Sequence, residues 1–118
     1  MALVYISHPE CPRHEMGQHH PEQPARLSAI NDRLIATGLD MVLRQYDASP
    51  ADKAQLLAAH DPAYVDTVFR MSPEHGTVAL DGDTSMNPFS LQAARLAAGA
   101  VIQGVDMVMT GELGQVFC

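Results

Sequence analysis

The segment from about Ser90 to Thr110 constrains the fold most, because it combines the length of a helix with unusually small side chains. Small side chains allow a helix to lie close against a sheet, and Gly111 follows as a typical left-handed helix end. The sequence therefore predicts a buried packing helix here. Its small residues are Ala93, Ala94, Ala97, Ala98, Gly99, Ala100 and Gly104.

Three short apolar runs predict strands that alternate with the helices. Residues 2–7 indicate a strand buried on both faces, residues 41–46 a second strand, and residues 115–118 the start of a third. Residues 8–23 are rich in Pro, His, Glu and Gly and indicate a loop. The alternation predicts an α/β parallel sheet. Three strands give such a sheet little area, so residues 1–118 are expected to form the beginning of a larger fold, without an internal domain boundary.

Local signals predict where the helices begin and end. Pro24 opens a helix that ends at Gly38, Ser49 is the expected N-cap of a second helix, and Asp61 that of a third. Residues 71–88 hold several glycines and prolines and predict a long loop. The apolar face of the first helix consists of Leu27, Ile30, Leu34 and Ile35.

Charge and composition exclude several classes of partner. The net charge is −7 and Lys53 is the single lysine, which excludes a broad basic surface for nucleic acid and disfavours binding to anionic lipid. No apolar run is long enough to span a bilayer, and the first residues lack a basic-then-apolar signal. Cys11 and Cys118 lie at opposite ends and indicate no disulfide framework. These features predict a reducing compartment, the cytoplasm.

Residues 8–20 contain four of the six histidines, and this cluster allows two interpretations. Cys11, His14, His19 and His20 supply four ligand types that zinc accepts, so a small metal-binding module is one hypothesis. The spacing matches no recognised zinc motif, however. Hydrogen bonding of the imidazoles to the backbone of the loop is therefore the favoured interpretation.

Two pairs of charged residues are further candidates. Glu22 and Arg26 are four residues apart and form either an ion pair that orders the loop or a solvated surface pair. Asp81 and Asp83 flank Gly82, a pattern more typical of a turn than of a ligand site. Serine nucleophile elbows, P-loops and dinucleotide-binding motifs are absent from the sequence, so the residues alone predict no catalytic group.

The order of several segments resembles a known family, the zinc-dependent histone deacetylase-like amidohydrolases, which include the acetylpolyamine amidohydrolases. Each segment alone is weak, but together they cover essentially the whole chain. The segments are His8-Pro9-Glu10-Cys11, His14, Gly17, His20-Pro21-Glu22-Gln23-Pro24-Ala25-Arg26-Leu27, Ala29-Ile30, Gly38-Leu39, His60-Asp61-Pro62-Ala63-Tyr64-Val65, Leu80-Asp81-Gly82-Asp83-Thr84, Pro88, Ala93-Ala94-Arg95-Leu96-Ala97-Ala98-Gly99-Ala100 and Gly111-Glu112.

This resemblance implies an open α/β domain with helices on both faces of a parallel sheet and a site at the carboxyl ends of the strands. It also implies hydrolysis of the acetyl amide of acetyl-lysine or an acetylpolyamine, with a zinc ion held by two Asp and one His and a tandem His pair for proton transfer. The family's Arg-Pro-Pro-Gly-His-His segment and its zinc ligands are not among residues 1–118. The chain is therefore expected to supply no catalytic residue and no zinc ligand.

What the chain is expected to contribute is the rim of the substrate channel. By resemblance, His20 and Pro21 lie on that rim, and Asp83 matches the position that hydrogen-bonds the backbone of the substrate. Glu22 and Arg26 are expected to buttress the loop beside it. His19-His20 precedes the first helix and is not the catalytic pair.

Two alternatives stay open beside the leading interpretation of an N-terminal deacetylase segment that is inactive alone. One is the His/Cys metal-binding module, and the other is a non-catalytic interaction domain that keeps the front end of the family's fold. Some family members also hold a structural zinc in the first loop, but that site needs a further cysteine, which the resemblance places after residue 118. Zinc is therefore expected in the full-length family and not in this chain. Unpaired sheet edges predict self-association, and the acidic balance suits a cationic acetylated amine.

Overall fold

A computed structural model describes residues 2–111 and 113–118. Strands and helices alternate along the chain, which confirms the predicted α/β class. Two 3-10 turns, Cys11–Arg13 and Leu39–Met41, flank the first helix. The elements are β1 (Leu3–Ser7), α1 (Ala25–Ala36), β2 (Arg44–Asp47), α2 (Lys53–Leu57), α3 (Pro62–Met71), β3 (Val78–Ala79), β4 (Ser85–Met86), α4 (Ser90–Met109) and β5 (Gln115–Phe117).

The main sheet has the order β2-β1-β5, and both pairings are parallel. Val4 lies opposite Arg44 of β2 and Val116 of β5, which makes β1 the central strand. A central strand between helical layers reads as a continuous apolar run, and Val4 and Ile6 are 0% and 1% exposed. The predicted strand buried on both faces is confirmed.

Helices cover both faces of this sheet. Side chains alternate along a strand, so Val4 and Ile6 share one face, where they pack in the core with Leu96 of α4. Tyr5 points to the opposite face, and its hydroxyl donates to Oδ1 of Asn31 in α1 at 3.1 Å. The expected two-sided arrangement is therefore present.

The packing of α1 is looser than that of α4. Its predicted apolar face borders an open hollow of about 470 Å³ against β1 and β2, which Leu27 and Leu34 line. Ile35 at the end of this face is 63% exposed, and no residue of α1 is fully buried. The pattern thus indicated the correct helix, but the sheet of the described chain covers its apolar face only in part.

The closest approach in the fold lies between α4 and the segment that follows β2. A Cβ atom added at Gly99 would stand 1.7 Å from the carbonyl oxygen of Ser49 and 2.8 Å from the nitrogen of Ala51. The Ala51 N–H donates to the carbonyl of Arg95 at 2.8 Å, and the Arg95 Nε donates to the Ala51 carbonyl at 3.0 Å. Gln103, one further turn along, accepts from the Ser49 N–H at 3.0 Å. The predicted small-residue packing helix is confirmed.

Two sequence predictions near β2 are wrong in detail. The strand begins at Arg44 rather than at residue 41, because residues 39–41 form a 3-10 turn after the left-handed Gly38. The N-cap of α2 is Asp52, not Ser49. Asp52 and Gln55 form a reciprocal capping box, whereas the Ser49 N–H is bound to α4.

The predicted loop over residues 71–88 also contains structure. Val78–Ala79 and Ser85–Met86 pair as a short antiparallel hairpin. Two-residue strands carry too little periodicity to be recognised in a sequence. The N-cap prediction at Asp61 is confirmed, since its carboxylate accepts from the N–H groups of Ala63 and Tyr64 at 2.8 and 3.3 Å.

The outer face of α4 is apolar as well as its inner face. Val101 and Val105 are each 55% exposed and Met109 is 79% exposed. None of the described helices combines the length and apolar character needed to cross a bilayer. At the sheet edges, β2 and β5 each pair with β1 alone among the described strands, and every residue of β2 is exposed.

Replacing Gly99 by alanine is expected to destabilise the protein by about 1–3 kcal/mol, because the added methyl group meets backbone atoms that cannot rotate away. Gly104→Ala is the matched control. There the nearest atom is Cγ1 of Val116 at 3.0 Å, a side-chain atom that can shift, and alanine gains helix propensity of about 1 kcal/mol. Urea unfolding measures the free energy of unfolding of both variants. A Gly99→Ala variant as stable as the wild type contradicts this packing.

The exposed edges and the outer face of α4 are expected to make the chain self-associate. Sedimentation velocity should show dimers or larger species at micromolar concentration. The double variant Val101→Glu/Val105→Glu should shift the distribution toward monomer, whereas Ser28→Glu on the exposed surface of α1 should not. A monodisperse wild-type monomer contradicts this prediction.

Candidate functional site

The first loop, residues 8–23, leaves the carboxyl end of β1 and runs beside the segment of residues 81–90. Ligand sites of open α/β sheets lie at this end of the strands. Contacts join Arg13 to Asn87, Met16 to Ser85, and residue 20 to residue 83. The two segments therefore run antiparallel, although more than 60 residues separate each pair, and they form one continuous rim.

One end of the rim, where Arg13 contacts Asn87, is attached to the start of α4. Asn87 donates from Nδ2 to the Arg13 carbonyl at 2.8 Å, and the Arg13 guanidinium lies 3.8 Å from the ring centre of Phe89. The hydroxyl of Ser90 accepts from the Asn87 N–H at 2.8 Å and donates to the Asn87 Oδ1 at 3.0 Å. Its remaining lone pair faces Nδ1 of His14 at 2.6 Å, so the imidazole donates to Ser90.

The middle of the rim is joined by a weaker contact, in which the Ser85 N–H of β4 points at the sulfur of Met16 at 3.3 Å. At the other end of the rim, His20 joins the two segments. Its Nε2 lies 3.1 Å from the Asp83 carbonyl oxygen and 3.2 Å from the Asp83 Oδ1. The predicted rim residues His20 and Asp83 are therefore neighbours. Pro21 follows His20 and is exposed.

The same local structure occurs twice in the first loop. The Glu10 N–H donates to Nδ1 of His8 at 3.1 Å, and the Glu22 N–H donates to Nδ1 of His20 at 3.0 Å. In both His-Pro-Glu tripeptides the proline has no N–H, so the histidine ring accepts from the next residue along. For His20 this confirms the favoured interpretation that the ring binds the backbone of the loop, whereas His14 binds the side chain of Ser90. The repeated tripeptide is the sequence signal from which this geometry could have been predicted.

The backbone at Asp83 is held by a turn of its own. Asp81 accepts from the Asp83 N–H through Oδ1 at 2.8 Å, and the Thr84 carbonyl accepts from the Leu80 N–H at 2.8 Å. The hydrogen bond from Asp83 lowers the pKa of the Asp81 carboxyl below its ordinary value. The favoured turn interpretation is correct for Asp81, whereas the side chain of Asp83 is 95% exposed.

Glu22 and Arg26 join the end of the first loop to the first turn of α1. Arg26 Nη1 lies 2.5 Å from Oε2 of Glu22, with side-chain exposures of 60% and 50%. The pair is present, but an ion pair in water contributes only a few tenths of a kcal/mol. It restrains where the loop enters α1 more than it stabilises the fold.

The structure does not gather the proposed ligands of the metal-binding module. His14 is bound to Ser90 and His20 to Asp83. Within residues 2–111 and 113–118, no group of three or more His, Cys, Asp or Glu side chains is placed to hold a metal ion. Burial raises the pKa of the Cys11 thiol, which disfavours the thiolate that zinc requires.

The pattern that describes the histone deacetylase domain matches residues 20–118 of the chain. The chain belongs to the histone deacetylase family. The predicted resemblance is thereby confirmed. A zinc ion is implied by this family, and the described residues do not bring together a ligand set for it.

Relatives support the assignment to the histone deacetylase family over most of the chain. An uncharacterized protein of Synechocystis sp. is 36% identical over 92% of this chain and 36% of its own length. The human polyamine deacetylase HDAC10 is 37% identical over 76% of the chain and 14% of its own length. The histone deacetylase-like amidohydrolase of Pseudomonas aeruginosa is 32% identical over 79% of the chain and 24% of its own length.

The fold of this histone deacetylase family member agrees with a solved structure. The crystal structure of the HDA15 HD domain superposes with a TM-score of 0.86 and 29% sequence identity. The match covers 98% of this chain and 34% of that domain. The chain thus spans about a third, or less, of the length of the relatives that it matches.

The Asp81 carboxyl should titrate below the ordinary aspartate value of 3.8, because its charged form accepts the Asp83 N–H. A lowered pKa means that the turn is stabilised above pH 3.8 and loses this contribution as the pH falls through the folded-state pKa. Carbon-detected NMR of the Asp81 carboxyl measures the midpoint. In Asp81→Asn the corresponding step in the Asp83 amide shift should vanish; a wild-type midpoint above 3.8 contradicts the hydrogen bond.

Proposed function

We propose that this chain forms the N-terminal, substrate-rim part of a zinc-dependent deacetylase that hydrolyses the acetyl amide of an acetylated amine. The observation that carries the proposal is the rim itself, in which the first loop and residues 81–90 are joined at the carboxyl end of the sheet by His20 and Asp83. Family membership supports the reaction class. The zinc ligands and the proton-transfer pair lie outside residues 1–118 in this proposal.

The charge of the rim supports a cationic substrate. Asp81 and Asp83 place two carboxylates at the turn, that of Asp83 exposed, and Glu22 follows His20 closely in the first loop. The basic side chains nearby are engaged, since Arg26 pairs with Glu22 and Arg13 stacks on Phe89. An acidic rim attracts acetyl-lysine segments of basic proteins or acetylated polyamines. The matched relatives include a polyamine deacetylase and a histone deacetylase-like amidohydrolase, and we propose a substrate of the same chemical class.

The role proposed for the chain's own residues is binding and orientation. The exposed carboxylate of Asp83 accepts an N–H group of the substrate next to the acetylated amine. His20, which contacts Asp83, and Pro21 form the adjoining wall of the entrance, and the Glu22–Arg26 pair restrains the loop that carries them. Because Asp83 and the wall of His20 and Pro21 both contact the substrate, they hold its acetyl amide in one orientation for attack.

The proposed setting of the protein is a reducing compartment, the cytoplasm. Cys11 and Cys118 are both free thiols, which supports this placement. The formal charge of −7 supports the absence of a nucleic-acid partner.

The proposal predicts that purified residues 1–118 release no acetate from an acetyl-lysine peptide in the presence of zinc. Zinc-dependent acetate release by this chain alone would contradict the placement of the catalytic groups outside it. The rim function is tested in a chimera in which residues 1–118 replace the matching region of the Pseudomonas aeruginosa amidohydrolase. That chimera should hydrolyse an acetylated diamine or an acetyl-lysine peptide when loaded with zinc.

In this chimera, Asp83→Ala should raise KM about 10- to 100-fold with a smaller change in kcat, since a charge-assisted hydrogen bond to substrate is worth about 1.5–3 kcal/mol. Glu74→Ala, an exposed acid in the loop after α3, is the matched control and should leave KM unchanged. A chimera that is folded by circular dichroism and hydrolyses neither substrate would refute the proposed function.

A further inference from the structure

His20 occupies both ring nitrogens in contacts that link the first loop to Asp83. Nδ1 accepts the Glu22 N–H at 3.0 Å, and Nε2 faces the carbonyl oxygen and the Oδ1 of Asp83 at 3.1 and 3.2 Å. The His20 side chain is 21% exposed, whereas that of Asp83 is 95% exposed. A mostly covered imidazole thus holds a carboxylate that is otherwise surrounded by water.

The hydrogen bond from the Glu22 N–H determines which ring nitrogen of His20 carries the proton. A backbone N–H can only donate, so Nδ1 of His20 carries no proton in this geometry. The neutral ring then carries its proton on Nε2, which makes His20 a donor toward Asp83. The backbone N–H of Glu22, two residues further along the chain, therefore selects the tautomer of His20.

The contact with His20 reaches the side chain of Asp83 as well as its backbone carbonyl, and the side chain is the part that no other hydrogen bond of the described residues holds. The backbone is already held by the Asp81 turn, through the Asp83 N–H. A freely exposed aspartate samples several staggered rotamers, and a donor on Oδ1 favours one of them. The other carboxylate oxygen then has a defined direction.

We propose that His20 is a positioning residue, which fixes the rotamer of the Asp83 carboxylate so that its second oxygen meets the N–H group of the substrate. This inference rests on the substrate-rim role proposed for Asp83. The alternative, that His20 merely stabilises the loop, makes a different prediction: removing the donor of His20 would then leave the Asp83 rotamer unchanged.

The test uses isotope-labelled residues 1–118 and measures the tautomer of the His20 ring and the Hα–Hβ couplings of Asp83 by NMR at neutral pH. The wild type should show the Nε2–H tautomer and the couplings of a single staggered rotamer. His20→Phe keeps a ring but removes the donor, and it should give averaged Asp83 couplings. His20→Gln places an amide donor near the same point and should restore the single rotamer.

His75→Phe is the matched control, because His75 lies exposed in the loop before the hairpin and should leave Asp83 unchanged. The variants are compared only where their amide spectra show the wild-type fold. Averaged Asp83 couplings in the wild type, or an unchanged single rotamer in His20→Phe, would overturn the inference. The two proposals can fail separately. If the chimera releases no acetate while the ordering of Asp83 still depends on His20, the proposed function is wrong and the positioning role of His20 is not.

Discussion

The close contact between α4 and the chain after β2 is the constraint on which the rest of this structure depends. It requires a glycine at residue 99, because the Ser49 carbonyl occupies the space of a side chain. Arg95 and Gln103, one turn to either side, bind the same segment. With α4 held there, Leu96 is placed against the central strand, and the rest of the sheet follows from that packing.

The first turn of α4 extends this constraint to the candidate site. Ser90 is buried within the helix start and binds His14, so the first loop is attached to the helix that packs most closely on the chain after β2. From that anchor the loop runs along the hairpin to His20 and Asp83. The rim is consequently built from a loop and a turn, but its position is set by a helix.

The chain corresponds to only part of the histone deacetylase family members that it matches. The chain matches about a third of the HDA15 HD domain, and its described residues contain no metal-binding group. The apolar outer face of α4 and the open hollow beneath α1 are consistent with a fold that continues beyond these elements in the relatives.

Local chemistry in the sequence was enough to predict the strands, the helix starting after Pro24, the cap at Asp61 and the packing role of α4. These features depend on hydrogen bonds and sterics within a few residues. The cap at Asp52, the hairpin and the His14–Ser90 and His20–Asp83 contacts were decided only by the tertiary structure. The two histidine contacts join residues far apart in the chain, and no local pattern specifies which distant residue a donor will meet. The cap at Asp52 and the hairpin have partners close in sequence, but Ser49 is unavailable as a cap because α4 binds it, and two-residue strands are too short to recognise.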